Sequence, residues 1–126
     1  MLIECQISLG ELVDKISILR IKKQFIKDKE LLKHVEFEDH LLTERLTQLQ
    51  LAEINDYLFQ LIEINTRLWQ IEDEIREKEQ KQDFHAEFIR LARSVYKTND
   101  ERFRIKNSIN QRFGSQVKEV KLYKEY

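Results

Sequence analysis

The chain has 126 residues, 36% of them charged, and a formal net charge of −1 at pH 7. This length is enough to bury one hydrophobic core, so we expect a single helical domain over residues 1–126. The mean hydropathy is −0.58, and no apolar run approaches the roughly 18 residues of a membrane span. The chain does not open with a basic stretch followed by an apolar one, and Cys5 is its one cysteine. We therefore expect a cytoplasmic protein without disulfides.

The first elements are a short strand and a long helix. Apolar and polar residues alternate over residues 3–8, which predicts a strand over residues 1–7. Ser8 and Glu11 have the spacing of a structural capping box, so we expect a helix over residues 8–34. This helix is apolar on two nearly opposite sides, a pattern typical of a helix packed between two partners. In so short a chain one partner can be a second subunit, and we therefore expect a homodimer.

Two further long helices are expected over residues 38–80 and 83–113, because the chain lacks proline and has two glycines. Gly114 stands where a glycine commonly ends a helix. Residues 98–101 have the spacing of another capping box, so the third helix could break near residues 98–100. Residues 115–126 are expected to form an extended tail that could pair with the N-terminal strand. The expected class is mainly α, with three long helices in an antiparallel bundle or coiled-coil hairpin and short terminal strand segments.

Polar residues interrupt the apolar faces of the second and third helices. At about 100° per residue, Asn65 and Glu72 fall on the same face as Ile54. The third helix turns polar at Arg102 and Lys106, and buried charges need partners. The candidate ligand-binding residues are Asn65, Trp69, Glu72, Arg76, Arg93, Tyr96, Asn99, Arg102 and Lys106.

Three interpretations of these polar residues stay open. They could form a hydrogen-bonded network that fixes the register of the helices. They could line a pocket for an anionic, phosphorylated or carboxylated ligand. A break at Thr98 could instead rotate the helix face and leave the cations exposed.

The sequence indicates no other chemical site. The histidines and Cys5 lack the spacing of metal ligands, so no metal site is expected. There is no glycine-rich phosphate loop and no nucleophile motif, so we assign no cofactor and no catalytic residue. Residues 36–83 carry 13 acidic and 5 basic residues, whereas residues 90–112 carry 2 and 7. Such segments commonly pack together as neighbouring helices, and the acidic one argues against a nucleic-acid partner.

Three stretches resemble a family of small uncharacterised bacterial and phage helical proteins, a domain of unknown function. They are SLGELVDKISILRIKK (8–23), NTRLWQIEDEIR (65–76) and FIRLARSVYKTNDERFRIKNSINQRFGS (88–115). The genes of that family often lie near polysaccharide and lipopolysaccharide biosynthesis genes, which implies a context rather than an activity. Arg20 stands where the family usually has an acidic residue. The resemblance implies a polar motif at Glu11, Asp14, Lys15, Asn65, Trp69, Glu72, Asp73, Arg76, Arg93, Tyr96, Asn99, Asp100, Arg102 and Lys106.

These observations favour a non-enzymatic helical accessory or scaffold module. The resemblance links it to surface-glycan metabolism or to a phage programme that redirects it, with another protein as a further partner. The alternative is a protein, or a small all-helical enzyme, that binds an anionic small molecule with a buried layer of asparagine, arginine, lysine and glutamate. In that alternative, Arg102 and Lys106 hold the anion.

Overall fold

The computed structural model describes residues 1–124, which form four α-helices and no β-strand. The helices are α1 (Leu9–Phe25), α2 (Lys29–Gln48), α3 (Ile54–Gln80) and α4 (Ala86–Arg112). The expected mainly-α class is thus confirmed. The last two residues of the expected extended tail, 125 and 126, lie outside the described residues.

Helix α1 lies at the centre of the arrangement. Helices α3 and α4 form an antiparallel hairpin, as the ion pairs Arg67–Glu101 and Glu53–Arg112 show. Helix α1 packs against both arms of this hairpin and also against α2, whereas α2 packs against no helix except α1. Both apolar sides of α1 are therefore covered within the chain, and they no longer require a second subunit.

The hydrophobic core joins all four helices. Its α3 members follow the three-and-four spacing of an amphipathic helix, which places them on one face. Each large apolar side chain that is fully buried stabilises the fold by about 1.5–3 kcal/mol. The buried core cluster consists of Leu12, Val13, Ile16, Leu46, Ile54, Leu58, Leu61, Ile64 and Ile109.

Short polar side chains cap the N-termini of α1 and α2. Ser8 Oγ accepts a hydrogen bond from the amide of Glu11 (3.2 Å) at the start of α1. Asp28 Oδ1 accepts from the amides of Glu30 (2.9 Å) and Leu31 (3.1 Å) at the start of α2. Each bond satisfies amides that have no carbonyl partner within the helix.

Helix α4 is continuous, and a glycine follows its C-terminal end. Thr98, where the sequence allows a break, is a buried residue within the helix. Gly114 has a φ of 66°, and the amide of Ser115 donates to the carbonyl of Asn110 (2.9 Å). This is a Schellman motif, in which the left-handed residue lets the chain turn back and bond the last carbonyls.

The predicted terminal strands are wrong. Residues 1–7 have no regular structure, and Ile3 is 79% exposed. Alternation predicts which side of a strand is buried, but a strand forms only beside another with which it shares hydrogen bonds. Residues 115–124 are not a strand either.

The predicted number and bounds of the helices are also wrong, because two breaks contain neither proline nor glycine. The helix expected over residues 8–34 ends at Phe25, and the one expected over 38–80 is interrupted between Gln48 and Ile54. In the second break, Gln50 and Glu53 have φ values of 49° and 63°. This left-handed conformation costs a non-glycine residue about 1–2 kcal/mol. The first break lets α2 fold back along α1, and the second lets α3 pack against α1.

Candidate functional site

A buried layer of polar side chains lies where α1, α3 and α4 meet. We define the polar layer as Asp14, Ser17, Asn65, Arg102 and Lys106. Two of its members come from α1, one from α3 and two from α4. In each helix these positions continue a side that is otherwise apolar, so their polar groups face one another.

The carboxylate of Asp14, a residue that is 1% exposed, is the centre of the polar layer. Its Oδ1 accepts hydrogen bonds from Asn65 Nδ2 (2.8 Å) and Arg102 Nε (3.0 Å), and its Oδ2 accepts one from Arg102 Nη2 (2.5 Å). The guanidinium thus binds the carboxylate at two points, a strong and directional geometry. Asn65 Nδ2 also donates to Ser17 Oγ (2.7 Å). One carboxylate therefore connects three helices.

Lys106 forms the second half of the polar layer. Its Nζ lies 2.9 Å from Glu11 Oε2, 2.8 Å from Glu119 Oε2 and 3.8 Å from Asp14 Oδ2. Glu11 belongs to the first turn of α1, and Glu119 belongs to the segment that follows α4. The ammonium therefore joins the beginning of α1 to the C-terminal segment.

The layer keeps both cations charged. The hydrogen bond with Asp14 raises the pKa of Arg102 although burial works against it. Burial also opposes the charged form of Lys106, but hydrogen bonds with Glu119 and Glu11 outweigh this and raise its pKa above the ordinary value. Within residues 1–124, no buried side-chain nitrogen or oxygen lacks a hydrogen-bond partner. Such complete pairing is what makes buried charges tolerable.

The backbones of α1 and α4 come very close beside the layer. The amide of Gly10 donates to Asn110 Oδ1 (2.7 Å). A Cβ atom at Gly10 would lie 2.5 Å from the carbonyl oxygen of Lys106. Only glycine fits there, and this approach lets the Lys106 side chain reach the carboxylates of α1.

Three of the nine candidate ligand-binding residues lie in this layer: Asn65, Arg102 and Lys106. Glu72, which was expected to face them, has a 44% exposed side chain and binds Arg76 of its own helix (3.1 Å). The two cations of the layer bind carboxylates of α1 and of the C-terminal segment, so a carboxylate of α3 is not needed.

The other candidates are spread over the hairpin. Trp69 stacks on Phe25 at the end of α1, with ring centroids 5.5 Å apart and planes 10° apart. Arg93 is exposed, Tyr96 is 39% exposed, and Asn99 is half-buried on α4.

Helical periodicity did not single out Asp14 or Ser17 as members of the polar layer, nor Glu119 as a partner of Lys106. A usable signal was present in α1, where Gly10, Asp14 and Ser17 recur at three-and-four spacing, so small and polar residues form one stripe. The resemblance does include Asp14. Glu119 carries no such signal because it lies outside any helix.

A second ionic cluster joins α1 to α2. Asp39, with a 5% exposed side chain, accepts from Arg20 Nε (3.1 Å) and Thr43 Oγ1 (2.8 Å) and pairs with Lys23. Burial opposes its ionisation, but these hydrogen bonds outweigh it and hold the pKa of Asp39 below its ordinary value. Arg20 thus has a charge partner in α2.

Surface depressions lie away from the polar layer. One of about 430 Å³ lies between α3 and α4, one of about 210 Å³ lies on α4, and one of about 750 Å³ lies between α1 and α2. None of the three is lined by a residue of the polar layer. Among residues 1–124, no three side chains of metal-binding type cluster, and no helix is long and apolar enough to cross a membrane.

Comparison with known proteins gives a family without an assigned activity. No curated protein and no solved structure matches the chain. The model of a family of unknown function, DUF6165, matches residues 3–125. Because this match covers almost the whole sequence, the chain belongs to the family of unknown function DUF6165.

Proposed function

We propose that this chain is a non-enzymatic helical module whose polar layer has a structural role and whose outer surfaces bind partners. The observation that carries this proposal is the complete internal pairing of the layer. Arg102 binds Asp14 at two points, and Lys106 has carboxylate partners in α1 and in the C-terminal segment. The cations that would hold an anionic ligand are therefore already neutralised.

The same pairing gives the polar layer a structural role, because it favours one alignment of the helices. An unpaired buried charge is strongly unfavourable, so a shift of one helix by a turn would separate each ion from its partner. A buried polar group can select one register in this way, as a single asparagine does in coiled coils. Here the layer would fix α1 relative to the α3–α4 hairpin.

The proposal extends to the setting and the assembly of the module. We propose a role in surface-glycan assembly, or in a phage programme that redirects it, on the resemblance described above. Deleting the gene from a host that encodes it should change the surface-polysaccharide profile, and an unchanged profile would contradict this setting. We also propose that the module forms a homodimer.

A thermal-shift screen separates a structural layer from a ligand site. The panel contains nucleotide sugars, sugar phosphates, nucleotides, dicarboxylates and short oligonucleotides, with salt-matched blanks. A ligand at about 100 times its Kd stabilises the fold by about 2.7 kcal/mol, which is several degrees for a domain of this size. We expect no specific shift.

Two arginine variants complete this experiment. Arg102→Ala should lower the melting temperature, whereas Arg104→Ala, which removes an exposed cation of the same helix, should leave it nearly unchanged. A ligand shift that disappears in Arg102→Ala and persists in Arg104→Ala would overturn the proposal and make the polar layer a binding site.

A further inference from the structure

We propose that a second copy of the chain docks the outer side of α2 into a basic depression on α4. This inference rests on the proposed module function and names its partner surface. It joins two surfaces of opposite charge, and each of them has exposed apolar side chains.

The first surface, the acidic ridge, consists of Glu36, Phe37, Glu38 and Leu41 on α2. Phe37 is 56% exposed and Leu41 is 39% exposed. At about 100° per residue, Phe37 lies on the side of α2 opposite the buried Val35, and hence away from α1. Glu36 and Glu38 flank Phe37, and neither has an ion-pair partner among residues 1–124.

The second surface, the basic depression, lies on the N-terminal half of α4. It has a volume of about 210 Å³, and Ile89 within it is 56% exposed. Arg93 and Lys97 are exposed and form no ion pair with any other residue of the described chain. The lining residues are Ala86, Ile89, Arg90, Arg93, Ser94 and Lys97.

The two surfaces are complementary in charge and in apolar content. Single exposed apolar residues are common on proteins, but here a pair on α2 lies between unpaired acids and an isoleucine on α4 lies beside unpaired cations. Docking Phe37 and Leu41 beside Ile89 would bury apolar area while Glu36 and Glu38 approach Arg93 and Lys97. Opposite potentials of this kind favour and orient an encounter between two proteins.

A single copy cannot make this contact. Helix α2 packs only against α1 and does not touch α4, because α1 lies between α2 and the hairpin. A second copy supplies both missing partners. Since every copy carries one ridge and one depression, two copies related by a two-fold axis can make the contact twice and close as a dimer.

Sedimentation velocity at several protein concentrations and salt concentrations tests this contact. The wild-type chain should self-associate at micromolar concentration, and salt should weaken the association. Reversing the acids (Glu36→Lys with Glu38→Lys) or the cations (Arg93→Glu with Lys97→Glu) should each weaken it at least about tenfold. Combining all four substitutions in one chain should restore association, because the charges then match again.

An apolar pair of variants provides the matched control. Phe37→Ser should weaken association, whereas Phe59→Ser, at a 66% exposed position of α3 outside both surfaces, should not. A wild-type chain that remains monomeric over this range would overturn the inference. So would an association that the charge reversals do not change, or that Phe59→Ser weakens as much as Phe37→Ser.

These outcomes can be distinguished from failure of the proposed function. A monomer with no ligand shift would overturn the docking contact and the proposed homodimer, but not the structural role of the polar layer. A dimer in which the polar layer binds a ligand would overturn only the structural role of that layer.

Discussion

At the scale of single residues, one buried carboxylate organises the polar layer. Asp14 binds an amide from α3 and a guanidinium from α4. Asp14 lies in α1, whereas the layer was predicted from polar residues of α3 and α4. The positive charge of Arg102 is therefore balanced only when α1 is included. The amides and cations of α3 and α4 were visible as interruptions of apolar stripes. Their counter-charge was not, because a lone aspartate in a helix usually lies on the solvent side.

The variant Asp14→Asn should lower the free energy of unfolding by about 3 kcal/mol, at the lower end of the range for breaking a buried ion pair. The substitution keeps the shape of the side chain but removes its charge. It also places an amide donor against the donors of Arg102 or Asn65. Urea denaturation followed by circular dichroism measures the change. The Arg102 side chain is 27% exposed, so water offsets part of the loss.

Glu72→Gln is the matched control for this variant. It makes the same chemical change at a 44% exposed side chain whose ion pair lies within one helix, and it should change the free energy of unfolding by less than about 0.5 kcal/mol. Equal effects of the two variants would contradict the central role of Asp14.

At the scale of helices, sequence patterns predicted helical content better than helix ends. The start of α1 follows from Ser8, whose hydroxyl binds the amide of Glu11. The break before α2 also had a usable signal in Asp28, a typical capping residue. The break before α3 had none, because Glu53 caps α3 from a left-handed conformation without a side-chain hydrogen bond. Tertiary packing, rather than local preference, supports that turn.

The contact between α1 and α4 should be sensitive to a single methyl group. Gly10→Ala places a Cβ 2.5 Å from the carbonyl oxygen of Lys106 and 3.0 Å from Asn110 Oδ1. We expect a loss of about 1–3 kcal/mol from the forced separation of the helices, less up to about 1 kcal/mol gained in helix propensity. Denaturant unfolding measures the net loss, and amide chemical shifts at Lys106 and Asn110 should move.

Gly114→Ala is the matched control for Gly10→Ala, because it tests backbone conformation without steric crowding. A Cβ at this position meets no atom within 4 Å, but the residue has a φ of 66°. We expect a loss of about 1–2 kcal/mol from the left-handed backbone, with chemical-shift changes confined to the end of α4.

If Gly10→Ala left the shifts of Lys106 unchanged, the close approach of the two helices would be contradicted.

At the scale of the whole molecule, the chain consists of a three-helix unit and one helix attached to its side. Helices α1, α3 and α4 share the polar layer, whereas α2 packs on α1 alone. Besides apolar contacts, α2 is held by the ionic cluster around Asp39. This division was not predictable from periodicity, because α2 and α3 were expected to form one helix. It implies that α2 is the first helix to separate when that cluster loses its charge.

Acid should therefore weaken the attachment of α2. The pKa of Asp39 is lower in the folded chain than in the unfolded one. Its contribution to stability is thus present above the unfolded value, about 3.9, and is lost as the pH falls through the lower folded value. Asp39→Asn imitates the protonated carboxyl, so the variant should be less stable than the wild type at pH 6. The two melting temperatures should converge below about pH 4.

Hydrogen exchange at neutral pH shows where this loss occurs. In Asp39→Asn, amides of α2 should exchange faster while those of α3 and α4 stay protected, because α2 can detach without breaking the polar layer. Glu79→Gln, at an exposed carboxylate without an ion pair among residues 1–124, should change neither measurement. Uniformly faster exchange in all four helices would mean instead that the chain unfolds as one cooperative unit. In that case α2 would be as firmly integrated as the helices that share the polar layer.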